Sequence, residues 1–239
     1  MTSSYRLTQD PLFYVTAALF ALLTTSLPSF LGQSTLLPVL QALGLTIFTG
    51  VALRQEGPRT ALNLAALWLG IQFLTLLVVA LAKPAAAELA VGDGFAYRAS
   101  YVQWFFTGQG LPHALTAEPL GRLAQLAGIL LGSLLTGGLV GAWFLAKAVN
   151  QFAFSVAVLA QELGGVGIIA GLTPWSILTL AGYTGLFVLL AEPIVNNIWD
   201  VGHFLGKRRR LLLISLLLLL AGLLLELTLP GAWSRTFRP

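Results

Sequence analysis

Long uncharged runs dominate the pattern of hydrophobic and polar positions along the chain. Most of them reach the roughly 20 apolar residues with which an α-helix crosses the hydrocarbon core of a bilayer. They lack the alternation of transmembrane strands, and backbone groups inside a membrane must be paired, so helices are favoured. The pattern predicts an all-α fold, a polytopic transmembrane helical bundle of seven (or six) spans with one interfacial amphipathic segment. The predicted spans of this single integral membrane domain, 1–239, lie near 11–30, 37–54, 60–82, 122–143, 146–170, 174–198 and 211–229.

The extramembrane segment 83–121 contains charged residues among apolar ones. Its aromatic residues Tyr97, Tyr101, Trp104 and Phe105 recur at helical spacing. This spacing is typical of a helix that lies in the membrane interface with its aromatic face toward lipid. A surface helix packed on the protein core would have the same spacing.

The distribution of Lys and Arg predicts an orientation, because cytoplasmic flanks carry an excess of these residues. With seven spans and a cytoplasmic N terminus, eight of the 13 basic residues lie inside, counting Lys147 in a cytoplasmic turn; with six spans the bias is weaker. We therefore expect residues 207–210 on the cytoplasmic side and the C terminus on the opposite side. The basic cluster at the membrane surface consists of Lys207, Arg208, Arg209 and Arg210.

One polar stripe stands out near the end of the sixth predicted span. Its members recur at intervals of three or four residues, which places them on one face of a continuous helix. Ionisable groups at membrane depth usually face a bundle interior or water and mark ion or substrate paths. We interpret the stripe as a lined pathway or an interhelical clamp, with a solvated helix end as the alternative for its lower half. Its residues are Glu192, Asn196, Asp200, His203 and Lys207.

A second stripe, on the fifth predicted span, consists of Lys147, Gln151, Ser155 and Glu162, with Asn150 just outside it. Lys147 or Glu162 could pair with Glu192, Asp200 or Lys207 of the first stripe, which would offset the desolvation of each charge. Such pairs would suit a pathway and a structural clamp alike.

Small residues indicate close helix packing in the predicted span 122–143. Two motifs with glycines four residues apart lie on nearly opposite faces, which predicts a central span with neighbours on both sides. The glycines are Gly128, Gly132, Gly137 and Gly141.

Composition narrows the function classes further. The chain has 57% hydrophobic and 9% charged residues, whereas average globular proteins have roughly 25% charged residues. Cysteine is absent, which excludes thiolate chemistry and disulfides. The net charge of +4 comes largely from the basic cluster and suits anionic lipid headgroups, so we expect no nucleic-acid partner.

Catalytic motifs are sparse in the sequence. We expect no metal site, because the two histidines, His113 and His203, match no ligand spacing, and the sequence has neither a P-loop nor a G-x-S-x-G elbow. His113 and Glu118 could form an acid/base pair, although loop residues at the interface would look the same. No residue pattern identifies a cofactor.

These observations favour a non-enzymatic multi-pass membrane protein, either a transporter or permease component or an integral subunit of a membrane protein complex, with the lipid bilayer and other membrane subunits as partners. One alternative is an intramembrane enzyme that acts on a lipid-soluble substrate with Glu192, Asp200, His203 or His113. A second alternative is a scaffold or a pigment- or lipid-binding membrane subunit.

Overall fold

Proline begins six of the helices in the computed structural model, which describes residues 7–108, 110–200, 202 and 206–238. Proline suits the first helical position, where its missing N–H would have no partner inside the helix. The α-helices within the described residues are α1 Pro11–Phe30, α2 Leu36–Gln55, α3 Pro58–Ala82, α4 Pro84–Val91, α5 Gly94–Thr107, α6 Pro119–Thr136, α7 Leu139–Leu163, α8 Gly165–Gly171, α9 Pro174–Asn196, α10 Arg209–Thr228 and α11 Pro230–Phe237.

Seven of these helices are long and apolar enough to cross a membrane, namely α1, α2, α3, α6, α7, α9 and α10. The part of the chain that the structure describes contains no strand. The predicted all-α bundle is confirmed with seven spans rather than six, and the chain is an integral multi-pass membrane protein.

Contacts between helix ends define the two ends of the bundle. The basic end is the one that carries the basic cluster 207–210. There the Thr8 hydroxyl donates to Glu56 (2.8 Å), and the Asn196 amide lies 3.4 Å from the Leu53 carbonyl. At the opposite end, here called the capped end, the short helices α4, α5, α8 and α11 lie over the ends of the membrane spans. The Trp233 indole N–H of α11 donates a hydrogen bond to the Ala170 carbonyl of α8. An odd number of spans places the two termini at opposite ends. Which end faces the cytoplasm stays a prediction.

The predicted boundary between the fourth and fifth spans is wrong. Gly137 and Gly138 have φ angles of +62° and +104° and end α6 at Thr136. This left-handed region is easily reached only by glycine, so the pair forms a tight turn where the sequence suggested a helical motif. As a result, Lys147 lies well inside α7 and not in a cytoplasmic turn.

The central span is α7 and not the predicted 122–143 segment. In the most apolar window of α7, 72% of the residues are buried, compared with 17% for α6. The two helices cross closely, with Gly128 under the Phe144 ring and Gly132 against Val140. Gly141 faces back toward Ser133 of α6. Three further spans, α2, α3 and α9, also contact α7, so its side chains can reach several interfaces.

The aromatic residues of α5 pack inward. Tyr101, Trp104 and Phe105 are buried together with Phe154 of α7 and Trp175 of α9 in a second hydrophobic cluster at the capped end. The interpretation of α5 as a helix packed on the core is therefore correct, and the lipid-facing orientation of its aromatic face is wrong. This packing fixes α5 above the capped end of α7.

Candidate functional site: a cleft floored by α7

The first predicted stripe is not one continuous helix face. Helix α9 ends at Asn196, because Asn197 adopts a left-handed conformation with φ of +53°. Only Glu192 and Asn196 share a helix. Asp200 is exposed beyond the helix and accepts a hydrogen bond from the Gly202 N–H (2.9 Å). Lys207 is exposed, and His203 lies outside the described residues.

The deepest member of that stripe, Glu192, closes the basic end. Its side chain is 1% exposed and binds the Arg208 guanidinium through two nitrogens, with Nη2 to Oε1 at 2.7 Å and Nε to Oε2 at 3.1 Å. This fork geometry is the strong form of a carboxylate–arginine pair. The ion pairs predicted between the two stripes do not form among the described residues, since Glu192 binds Arg208 and Glu162 binds Arg98.

The second predicted stripe does lie on one helix, α7. Its last two members, Ser155 and Glu162, bind side chains of α5. Ser155 donates to the Gln151 carbonyl (2.8 Å), so the Tyr97 phenol, 2.7 Å from Ser155 Oγ, donates to Ser155. Desolvation raises the pKa of Tyr97 to about 12, which keeps this proton on the phenol. The Arg98 guanidinium lies 3.4 Å from Glu162. Two neighbouring residues of α5 therefore bind α7 at positions about two helical turns apart.

Arg98 also links α5 to α4. It donates to Glu88 at 2.9 Å, and this hydrogen bond is the main reason that the pKa of Arg98 is raised. These contacts join α4 and α5 to the C-terminal half of α7.

Asn150 lies beside the second stripe, roughly 60° around α7 from Lys147, in a buried network that the residue pattern did not predict. Its amide nitrogen donates to Gln41 Oε1 (2.8 Å), and its oxygen accepts from Gln72 (2.9 Å) and Gln41 (3.2 Å). Gln41 also donates to the Thr25 hydroxyl (3.0 Å). The network joins α1, α2, α3 and α7 at membrane depth. The signal in the sequence is one glutamine in each of two predicted spans, Gln41 in 37–54 and Gln72 in 60–82.

Lys147 and Gln151, the first two members of the second stripe, form the floor of a cleft of about 610 Å³. A cavity of this size is within the range of small-molecule sites. The α4–α5 connection with Asp93 lies along its rim, and the loop after α5 contributes His113 and Glu118 to its wall. The cleft continues toward the first turns of α6, where Arg122 and Gln125 line it. Polar groups from three separate parts of the chain therefore face one space.

Lys147 is the charge that a membrane span contributes to the floor of this cleft, and its side chain is exposed. It is the ninth residue of the 25-residue α7, which places its Cα about 12 Å from the first residue of the helix and about 24 Å from the last. Its ammonium lies 4.7 Å from the centre of the Trp143 ring, a cation–π contact. All nine carboxylate side chains of the sequence belong to the described residues, and none lies within 4 Å of the Lys147 ammonium.

Arg122 and Glu118 of the cleft are paired, whereas Asp93 at the rim has no ion pair among the described residues. Arg122 donates to Glu226 of α10 at 2.6 Å, and Glu226 also accepts from the Leu115 N–H at 2.9 Å, so this pair anchors the loop after α5 to two spans. His113 Nδ1 and Glu118 Oε2 lie 2.7 Å apart at the surface of the cleft. Lys147 and Asp93 are thus the charged residues of the cleft without an ion pair among the described residues, and of the two only Lys147 lies in a membrane span.

The described residues contain no group of three or more His, Asp or Glu side chains that could hold a metal ion. The cleft offers the Lys147 ammonium, the side-chain amides of Gln125 and Gln151, the His113–Glu118 pair, the Asp93 carboxylate at the rim and the Arg122 guanidinium that is bound to Glu226. Comparisons with protein-family models, with curated proteins and with solved structures find no match.

Proposed function

We propose that the protein is a non-enzymatic membrane protein, a transporter or permease component, and that the cleft floored by α7 binds the substrate on its path. The observation that carries this proposal is Lys147, the ninth residue of the 25-residue span α7, whose ammonium has no carboxylate partner among the described residues. A charge at this depth costs about 3 kcal/mol on insertion scales and marks an ion or substrate path by default. A neutral side chain would serve packing at no such cost.

The contrast between the two ends of the bundle supports the same proposal. The cleft extends from the capped end to Lys147, whereas Glu192 and Arg208 form a buried pair at the basic end. A site that is reached from one side and closed on the other is what alternating access requires. In this proposal Glu192 and Asn196 act as the clamp of the closed end, and Lys147 and Gln151 belong to the path.

Cysteine accessibility tests the proposal directly, because the chain has no cysteine of its own. Single variants Lys147→Cys and Gln151→Cys are made in the full chain, reconstituted in vesicles and treated with a charged maleimide that does not cross membranes. Leu217→Cys is the matched control, since Leu217 lies near the middle of α10 and is 63% exposed on its outer face. Asp93→Cys, at the rim, is the positive control.

We expect both cleft positions to be labelled at rates close to that of Asp93→Cys, and at least about tenfold faster than Leu217→Cys, because thiols in lipid react poorly with charged reagents. Labelling of Lys147→Cys and Gln151→Cys as slow as that of Leu217→Cys would exclude an aqueous path and overturn the proposal.

One observation favours a second candidate, an intramembrane enzyme that acts on a lipid-soluble substrate. His113 and Glu118, 2.7 Å apart, face the same space as Lys147 and have the spacing of an acid/base pair. Mass spectrometry of membrane lipids from cells that express the parent chain, His113→Gln or Glu118→Gln tests this candidate. A lipid product that requires both residues would favour the enzyme, and identical lipid profiles would exclude it for the lipids present.

A further inference from the structure

An apolar groove adjoins the cleft on the side of the basic end. It has a volume of about 320 Å³ and is lined by α2 and the first turns of α7, without a charged residue. Trp143 lines this groove and also lies under the Lys147 ammonium, and Phe144 lines both the groove and the cleft. The polar and apolar spaces therefore meet at Lys147. The remaining lining residues of the groove are Val39, Ala42, Leu43, Leu139 and Val140.

From this arrangement we propose that the ligand of the cleft is an anionic lipid of the bilayer, with its headgroup at Lys147 and an acyl chain in the groove. The inference rests on the proposed function and names the substrate class of the same site. The sign of the headgroup follows from charge complementarity, because Lys147 has no carboxylate partner within the described residues. The Gln151 and Gln125 amides, which also line the cleft, can donate to phosphate oxygens.

The other charges of the cleft are compatible with an anion at Lys147. Glu118 is bound to His113, and Asp93 lies at the rim on the α4–α5 connection. Arg122 adds a second positive charge to the wall, although Glu226 neutralises it. A cationic headgroup would meet the Lys147 ammonium at the floor, which disfavours it.

The route of entry distinguishes a lipid from a water-soluble anion. Val39, Leu43 and Val140 on the groove walls are 37–42% exposed on the outside of the bundle, where the hydrocarbon of the bilayer lies. From Leu139 to Phe144 the groove follows α7 for about 7.5 Å, and Lys147 lies less than one turn further along the helix. An acyl chain can therefore lie along α7 while its headgroup remains in the polar cleft. A soluble anion would use the cleft alone and leave the groove without a role.

The test uses the full chain reconstituted in phosphatidylcholine vesicles that contain a small fraction of phosphatidylglycerol with a photoreactive acyl chain. Phosphatidylcholine with the same photoreactive chain is the control for charge. After illumination, mass spectrometry locates the crosslinked residues. We expect crosslinks on 39–43 and 139–144, with a preference of about five- to tenfold for phosphatidylglycerol, the contribution of roughly one charge contact.

Variants separate the contributions of headgroup and chain. Lys147→Met should lower the phosphatidylglycerol crosslink to the level of phosphatidylcholine, and Lys147→Arg should restore the preference. Val39→Trp, on the α2 wall away from the α6–α7 crossing, should fill the groove and lower both crosslinks, while Gln151→Cys in that background stays reactive toward the charged maleimide.

The outcomes that overturn the inference differ from those that overturn the proposed function. Equal crosslinking of the two lipids, unchanged in Lys147→Met, would refute the anionic lipid even if the cleft positions are labelled from water. Protection of Gln151→Cys from the maleimide by inorganic phosphate, without a phosphatidylglycerol crosslink in the groove, would show a soluble anion in place of a lipid. Only the absence of labelling at Lys147→Cys and Gln151→Cys refutes the proposed function.

Discussion

Two neighbouring faces of α7 carry polar side chains at nearly the same depth, but one face is hydrogen-bonded to other helices and the other faces the cleft. On one face, Asn150 is 3% exposed and exchanges hydrogen bonds with Gln41 and Gln72. On the other face, Lys147 and Gln151 line the cleft. Within the part of the chain that the structure describes, the Lys147 ammonium makes a cation–π contact with Trp143 and no ion pair. Three residues along the helix thus separate a polar group that joins spans from one that faces an open space.

This difference separates stabilising polar groups from candidate functional ones. A polar group that is satisfied by other helices contributes to the stability of the bundle, as interhelical hydrogen bonds do in membranes. A charge that is left without a protein partner carries a cost that the fold does not recover internally. The comparison predicts that loss of a satisfied group lowers stability, whereas loss of Lys147 lowers ligand binding without lowering stability.

The largest loss of stability is expected at the basic end, where a satisfied charge is buried. Arg208→Ala removes the fork that binds Glu192, a carboxylate that is 1% exposed. Removal of one partner of a fully buried pair costs about 3 to 5 kcal/mol. We expect a loss toward the lower end of this range, measured as thermal or denaturant stability of the purified chain, because the Arg208 side chain is 28% exposed. Arg209→Ala is the matched control, because Arg209 is an exposed neighbour in the same basic cluster. Equal stability of the two variants would mean that Glu192 does not depend on Arg208.

A somewhat smaller loss is expected at the crossing of α6 and α7, which separates the cleft from the basic end. A side chain at Gly128 would run into the Phe144 ring. Gly128→Leu should therefore lower stability by about 1 to 3 kcal/mol. Gly70→Leu is the control, since a Cβ atom added at Gly70 of α3 would meet no other atom within 4 Å. If both variants unfold at the same temperature, the helices do not cross as closely as described.

The satisfied face of α7 is tested by Asn150→Leu. The substitution keeps the approximate volume but removes the partner of Gln41 and Gln72, so we expect a loss of about 1 kcal/mol, as for other interhelical hydrogen bonds in membranes. Labelling of Gln151→Cys in this background should be unchanged. An increase in stability would show that the free energy of desolvating these amide groups exceeds the free energy gained from their hydrogen bonds.

The features that the sequence predicted correctly are local ones. A run of about 20 apolar residues specifies a membrane helix without reference to the rest of the chain, and the seven spans follow from this. The spacing of Lys147, Gln151, Ser155 and Glu162 also depends only on the helix that contains them, and all four lie on α7.

The errors have physical causes that the pattern of residues does not reveal. Asn197 ends α9 in a left-handed conformation, which asparagine tolerates better than most residues, and this interrupts the first stripe. Gly137 has the spacing of a packing motif, but the Gly137–Gly138 pair forms a turn. Gln41 and Asn150 are 109 residues apart, so their hydrogen bond can be recognised only once the helices are placed. Each error concerns how a segment ends or which distant residue it contacts.

The smallest effect on stability, and the sharpest test of the comparison, is expected for Lys147→Met. Methionine keeps the length and the apolar stem of lysine and removes a charge that has no carboxylate partner, so the free energy of unfolding should stay constant or rise by up to about 1 kcal/mol. Lys147→Arg, which keeps the charge, is the control for binding. Thermal stability of the two variants should be similar, whereas the preference for the phosphatidylglycerol crosslink should be lost only in Lys147→Met. A loss of stability in Lys147→Met as large as that in Asn150→Leu would mean that the ammonium supports the fold, and the distinction between the two faces of α7 would no longer hold.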